Sequence, residues 1–286
     1  MNTADWLDFG FLAIWMAPAI MLAGRFGYEL WQRGKTDTST EVPAQWGLYR
    51  PITIIIAGYY LLGYIAVPVI FSFLFGLFFQ DAAVDIQAWF DKSYVGFSYS
   101  LMVTACELAL IWWFMQRRGG SFRTLGLQRF KARFIANAAL TFVLYFITYV
   151  AVAYLIISYI PEIDTNQEQI LGFQSIAGYE YILVYLALVV IPAFGEEILM
   201  RGFLYRALKK RLPHLWAMVI TSALFAAAHL QLGSGAPPLW IAAVDTFILS
   251  IALIKLTEYS KSLWPAILVH MIKNSLAFVQ LFVIKK

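Results

Sequence analysis

Ile135-Ala-Asn-Ala-Ala-Leu-Thr-Phe-Val-Leu-Tyr-Phe-Ile-Thr-Tyr-Val-Ala-Val-Ala-Tyr-Leu-Ile-Ile-Ser-Tyr-Ile160 runs for 26 residues without a charged side chain. About 20 mostly apolar residues suffice for a helix to cross a bilayer. This stretch therefore reads as a membrane-spanning helix, long enough to tilt or to overrun the interface. Its flanks differ in charge. The preceding loop carries Arg117, Arg118, Arg123, Arg129, Lys131 and Arg133 with no acid, and the following one carries Glu162, Asp164 and Glu168 with no base.

The same pattern extends over the chain. Apolar stretches occur at about 9–27, 51–79, 94–115, 135–160, 176–200, 214–231, 237–256 and 263–284, which gives eight candidate spans. The 51–79 stretch, like 135–160, exceeds what a bilayer requires. The first stretch ends near Arg25 and is preceded by Asp5 and Asp8 without Lys or Arg, the reverse of a cleavable signal. Basic loops follow the odd spans: Arg33, Lys35 and Arg50, then the Arg-rich loop above, then Arg206, Lys209, Lys210 and Arg211, then Lys255 and Lys261. Acidic or neutral loops follow the even ones, with Asp81, Asp85 and Asp91 against Lys92, and no charge at 231–237. The excess of Lys and Arg on cytoplasmic loops then puts both termini on the extracytoplasmic side. Lys285 and Lys286 at the C-terminus run against this assignment. Trp6, Trp31, Trp46, Trp89, Trp216, Trp240 and Trp264 lie near the span ends, where interfacial anchors are expected.

Composition agrees. Of the 286 residues 61% are hydrophobic, 17% aromatic and only 13% charged, against roughly 25% charged in a soluble domain. A soluble globular domain and a disordered chain are both excluded. The expectation is an all-α, polytopic membrane protein forming one integral domain over 1–286. The net charge of +4 follows from topology and points to lipid headgroups of the bilayer, with no nucleic-acid partner. A single cysteine, Cys106, excludes an intramolecular disulfide framework.

Ionisable groups inside the spans are functional candidates by default, because each costs at least a few kcal/mol in a bilayer. Glu196 and Glu197 stand together in Pro192-Ala-Phe-Gly-Glu-Glu-Ile-Leu-Met-Arg-Gly202. Glu197 and Arg201 are i,i+4, with the acid first, the favourable order for a helical ion pair. Glu196 points about 100° away, and a carboxylate in apolar surroundings suits a general base working near neutral pH. His229 ends Phe225-Ala-Ala-Ala-His229, and His270 shares a helix face with Asn274. His214, beside Pro213 in a basic loop, is expected to be solvated. Asp245 and Lys273 fall level on antiparallel helices and are expected to pair. Glu107 has no partner in the sequence. Pro18, Pro68, Pro192 and Pro265 are expected to kink their helices. With straight rods over these bounds, Glu196 and His229 differ in depth by up to about 10 Å.

Two acids, two histidines and an amide on apolar helices suggest a buried polar chamber. His-Glu-x-x-His, Gly-rich phosphate loops and Gly-x-Ser-x-Gly are absent from the sequence. Two chemistries fit. Glu196, His229 and His270 could supply the three protein ligands of a catalytic zinc. Alternatively Glu196 and His229 could activate a water while His270 and Asn274 donate hydrogen bonds to a tetrahedral oxyanion. Either is hydrolysis of an amide in a protected site.

Glu196-Glu-x-x-x-Arg201, Phe225-x-x-x-His229 and His270-x-x-x-Asn274, in this order, resemble the three motifs of the CPBP family. That family comprises CAAX prenyl endopeptidases of the Ras-converting type, bacteriocin-processing and immunity proteins, and Abi proteins. The flanks Arg201-Gly-Phe-Leu-Tyr and Ser262-Leu-Trp-Pro-Ala resemble it too. The resemblance covers about 185–280 within a core of 176–284; the helices of 1–160 share only their apolar character. It implies an intramembrane protease acting on a membrane-associated or lipidated protein or peptide. Glu196 would be the base with His229, and His270 and Asn274 the oxyanion donors. Glu197, Arg201 and Phe225 would support them. The family has been described in both glutamate-type and metalloprotease terms, so a zinc ion on Glu196, His229 and His270 and no cofactor at all both stay open. Asp245 and Lys273 depart from the family pattern, which has an uncharged helix there. A non-proteolytic immunity or scaffold protein and a proton-coupled transporter are the alternatives, the latter lacking an internal repeat.

Overall fold

The computed structural model describes residues 42–43, 46–79, 86–121, 123–160, 176–230 and 239–284. Outside the described residues lie the first candidate span (9–27) with Pro18 and Arg25, and Asp5, Asp8, Trp6 and Trp31. So do Arg33, Lys35, Asp81, Asp85, Glu162, Asp164, Glu168, the 231–237 loop, Lys285 and Lys286.

Among the described residues the chain forms helices and no strand. These are α1 (Tyr49–Phe78), α2 (Ile86–Phe90), α3 (Ser93–Arg118), α4 (Arg133–Tyr159), α5 (Glu180–Lys209), α6 (His214–Ala228), α7 (Trp240–Ser260) and α8 (Trp264–Ile284). All but α2 and α6 are long and apolar enough to cross a membrane. The protein is an all-α, multi-pass membrane protein. Helix α4 shows why: Leu140, Ile147 and Tyr154 are each more than 60% exposed, a surface that only lipid solvates without cost.

One expected span is corrected. Helix α6 has 15 residues and ends at Ala228, with His229 as its C-cap. At 1.5 Å per residue it reaches about 22 Å, short of a hydrocarbon core about 30 Å thick. Its shortness brings the motifs level. Residues 210–213 join α5 to α6 as a tight hairpin. Counting from that turn, Glu196 is 13 residues up α5 (209 − 196) and His229 is 15 up α6 (229 − 214). The difference is about 3 Å, so the larger depth mismatch expected from the sequence is absent.

The basic loops meet at one end of the bundle. Trp46 Nε1 donates to the Gly119 carbonyl at 2.9 Å, and Lys210 donates to the Val42 carbonyl. Arg206 Nη1 donates to the Thr124 carbonyl at 3.0 Å, and Trp264 Nε1 to that of Gln128 at 2.6 Å. This clustering is the arrangement that charge asymmetry selects in a membrane. Two anchors and one solvated residue are corrected here. Trp46 and Trp89 are buried in the interior, Trp46 packing 5.6 Å from Phe114 and 5.0 Å from Phe203. His214 Nε2 lies 2.8 Å from Glu258 Oε2, and the same carboxylate accepts from Tyr205 and Lys209.

The prolines act differently from one another. Pro265 stands in the first turn of α8, where its missing N–H costs nothing, so it starts the helix and does not kink it. Pro68 and Pro192 lie inside α1 and α5, each after a π-helical stretch, Ala57–Ala66 and Leu186–Val190. A proline cannot donate to the carbonyl four residues back, and widening the turn is one way a helix accommodates that. Glycines set the approach of α5 to its neighbours. A Cβ on Gly195 would meet Thr104 Cγ2 of α3 at 2.6 Å, and one on Gly202 would meet the Leu125 carbonyl oxygen at 2.8 Å.

Because a backbone oxygen cannot swing aside as a side chain can, Gly202→Ala is expected to destabilise the protein by about 1–3 kcal/mol. Thermal unfolding in detergent should show a clear drop in Tm; an unchanged Tm would contradict this packing.

Candidate active site

The site is built where α5, α6 and α8 meet, with α3 behind α5. Glu197 and Arg201 are fully buried, and Arg201 Nη1 donates to Glu197 Oε1 at 2.9 Å. The i,i+4 spacing on α5 delivers this pair. The same oxygen also lies 2.9 Å from His270 Nδ1 of α8. Since a carboxylate only accepts, Nδ1 carries a hydrogen and donates. His270 Nε2 then faces Glu196, 3.9 Å from Oε2. That carboxylate oxygen is buried and has no hydrogen-bond partner among the described residues.

Phe225 joins the third motif to the other two. Its ring lies 4.8 Å from that of His229 and 6.0 Å from that of His270, and Arg201 Cζ sits 4.3 Å from its centroid. Such a cation held over an aromatic face, away from water, is worth about 2 kcal/mol. Capping α6 fixes His229: its Nδ1 lies 2.9 Å from the Phe225 carbonyl oxygen, so Nδ1–H donates and Nε2 keeps its lone pair.

Asn274 sits one turn beyond His270. Its Nδ2 donates to the Leu188 carbonyl at 3.1 Å. That carbonyl lies four residues before Pro192, whose ring nitrogen has no hydrogen to give it. The break in the α5 ladder thus anchors Asn274, and the second N–H of the amide remains available. Tyr185 Oη and Ser275 Oγ, 3.0 Å apart, close α5 against α8 on the same side.

The expected Asp245–Lys273 pair forms: Lys273 Nζ lies 3.3 Å from Asp245 Oδ2. Tyr145 of α4 donates to the other oxygen of Asp245. This network holds α4, α7 and α8 together next to His270 and Asn274. Glu107 is placed as well. Ser93 bonds Glu180, Ser100 bonds the Ala187 carbonyl, Thr104 abuts Gly195, and Phe114 packs on Phe203. This parallel register of α3 on α5 sets Glu107 level with Glu196. Glu107 is buried.

The structure therefore brings Glu196, Glu197, Arg201, Phe225, His229, His270 and Asn274 to one place. The Glu197–His270 bond, the level of Glu107 and the Leu188 anchor for Asn274 are tertiary features that no sequence spacing announces. Glu196, His229 and His270 are the residues that would hold a metal. Among the described residues no three His, Cys, Asp or Glu side chains converge on one point. Both Nδ1 atoms are hydrogen-bonded, to Glu197 and to a backbone carbonyl, which leaves each Nε2 as the atom a histidine held this way would turn toward a metal.

Residues 178–276 match the family model described as type II CAAX prenyl endopeptidase Rce1-like. The match spans all three motifs and bears out the resemblance read from them. It indicates a protease, and in general an intramembrane endopeptidase of the CAAX type acting on a protein or peptide. No curated protein and no solved structure matches the chain.

Removing Glu197 would leave Arg201 buried without its carboxylate and His270 without its acceptor. Breaking one side of a buried pair costs about 3–5 kcal/mol. Glu197→Ala is expected to lose that much stability in detergent unfolding. Asp245→Ala, at a pair that is partly exposed, is expected to lose less. Equal losses would contradict the central place given to Glu197.

Proposed function

We propose that the chain is an intramembrane endopeptidase that hydrolyses a peptide bond of a membrane-associated or lipidated protein by a Glu/His-activated water. The observation that carries it is Glu196: a carboxylate whose Oε2 has no partner among the described residues, facing His270 Nε2 at 3.9 Å. A separation of that size is one a shared water can bridge.

The roles follow from the proton positions. Glu196 accepts a proton from water, and the hydroxide oxygen bonds to the scissile carbonyl carbon as the C=O electron pair moves to oxygen. The free N–H of Asn274 and the Nε2–H of His270 donate to that oxyanion. Because His270 Nδ1–H already donates to Glu197, donation from Nε2 requires the imidazolium, and Glu197 is the counter-charge that supports it. Collapse breaks the C–N bond, and Glu196 returns its proton to the leaving amine. His229, with its Nε2 lone pair left free, accepts a hydrogen bond from the water and orients it. Basic loops favour the cytoplasmic face of a membrane, so in this reading the basic loops that follow α3 and α5 face the cytoplasm.

Purified variants should be assayed on a quenched fluorescent peptide library that includes a farnesylated CAAX peptide. Glu196→Gln is expected to lose about 10²–10⁴-fold in kcat/KM, His229→Ala and His270→Ala to lose comparably, and Asn274→Ala about 10²–10³-fold. Near-wild-type cleavage by Glu196→Gln would contradict the proposal. A parallel arm with a strong chelator separates the two chemistries. Loss that zinc restores would replace the Glu/His water with a metal-bound one.

A further inference from the structure

A groove of about 460 Å³ runs between α4 and α7. Asn137, Thr141, Leu144 and Thr148 form one wall, at the i, i+4, i+7, i+11 spacing of a single helical face. Ile248, Ala252, Lys255 and Tyr259 form the other, with the same spacing. The helices run antiparallel, Tyr145 meeting Asp245, so the mouth with Asn137, Lys255 and Tyr259 opens at the end that carries the basic loops. From Asn137 to Thr148 is 11 residues (148 − 137), about 16 Å along the helix. Half of a hydrocarbon core about 30 Å thick is about 15 Å. The groove has the length of one acyl chain in one leaflet, and its walls are apolar for most of that length.

The mouth carries charge of one sign. Lys255 lines it, and Arg133 lies one turn beyond Asn137 on the same face of α4. Neither forms an ion pair among the described residues. Arg133 stacks its guanidinium 5.9 Å from the Phe134 ring. The nearest acid in sequence, Glu258, is taken by Lys209, His214 and Tyr205. Two cations therefore stand at headgroup level over an acyl-sized groove, beside the hydroxyl-bearing Tyr259, which is 79% exposed.

We propose that this groove binds an anionic phospholipid, one acyl chain lying between α4 and α7 and the phosphate held by Lys255 and Arg133. Zwitterionic lipid can fill the same apolar channel, but its own ammonium group competes for the phosphate and leaves the two cations less well matched. The site is independent of the proteolytic reading, since none of its residues belongs to the three motifs. Its deep end touches Tyr145, which holds Asp245 and through it Lys273, next to His270 on α8.

The test is native mass spectrometry of the delipidated full chain with equal amounts of phosphatidylglycerol and phosphatidylcholine. Each Lys or Arg near a headgroup favours the anionic lipid by about fivefold, so the wild type is expected to retain phosphatidylglycerol about 10- to 30-fold over phosphatidylcholine. The exposed double variant Lys255→Ala, Arg133→Ala should bring that ratio near one with its fold intact. Ala252→Trp, which fills the groove and spares the cations, should reduce retention of both lipids. Equal retention by the wild type, or an unchanged preference in the double variant, would overturn the proposal. Undiminished phosphatidylglycerol retention by a folded Ala252→Trp variant would overturn the placement of the acyl chain.

Discussion

One carboxylate oxygen organises the centre of this bundle. Glu197 Oε1 accepts from Arg201 within α5 and from His270 of α8, with all three side chains almost wholly buried. A charge in such surroundings is tolerable only with a close partner of opposite sign and with its hydrogen bonds made. Glu197 supplies the opposite charge for a permanent cation and an acceptor for an imidazole at once. In return Arg201 covers Phe225, and Phe225 packs against both histidines. The relative placement of α5, α6 and α8 thus hangs on a few polar contacts, because lipid gives no hydrophobic reason for helices to associate.

Irregular backbone is the second ingredient. Pro192 deprives the Leu188 carbonyl of its usual donor, and Asn274 supplies one from α8. Helix α6 stops inside the hydrocarbon depth, which puts a histidine at its end and not on its side. Non-helical or interrupted backbone is admitted at such depth only where protein surrounds it, and both breaks face the same interior space. One proline and one short helix thus set the backbone around Glu196.

The sequence was legible where its periodicities carry the information. Helical spacing gives the Glu197–Arg201 pair, and the antiparallel register gives Asp245–Lys273; both form. Apolar stretches give the long helices to within a few residues, except that α5 runs on to Lys209, nine residues (209 − 200) past its expected end. Features that depend on which helices touch were not legible. Nothing local marks Trp46 and Trp89 as interior residues, since a tryptophan near a span end looks the same whether it faces lipid or protein. His214 looked solvated because its partner, Glu258, is 44 positions away. The shortness of α6 is hidden because the uncharged stretch continues past Ala228 with Leu230 and Leu232, and hydropathy cannot see where the helix stops.

Glu107 and Lys273 add to this site ionisable groups that the three motifs do not specify. The proposed chemistry is attack of a water beside Glu196 on a peptide carbonyl. The most direct measurement is cleavage in ¹⁸O-labelled water, followed by mass spectrometry of the N-terminal product, for wild type beside Glu196→Gln of matched fold. The account predicts one labelled oxygen in the new carboxyl terminus for the wild type and a severely reduced yield of that product for Glu196→Gln. A labelled product formed by Glu196→Gln at the wild-type rate would contradict it.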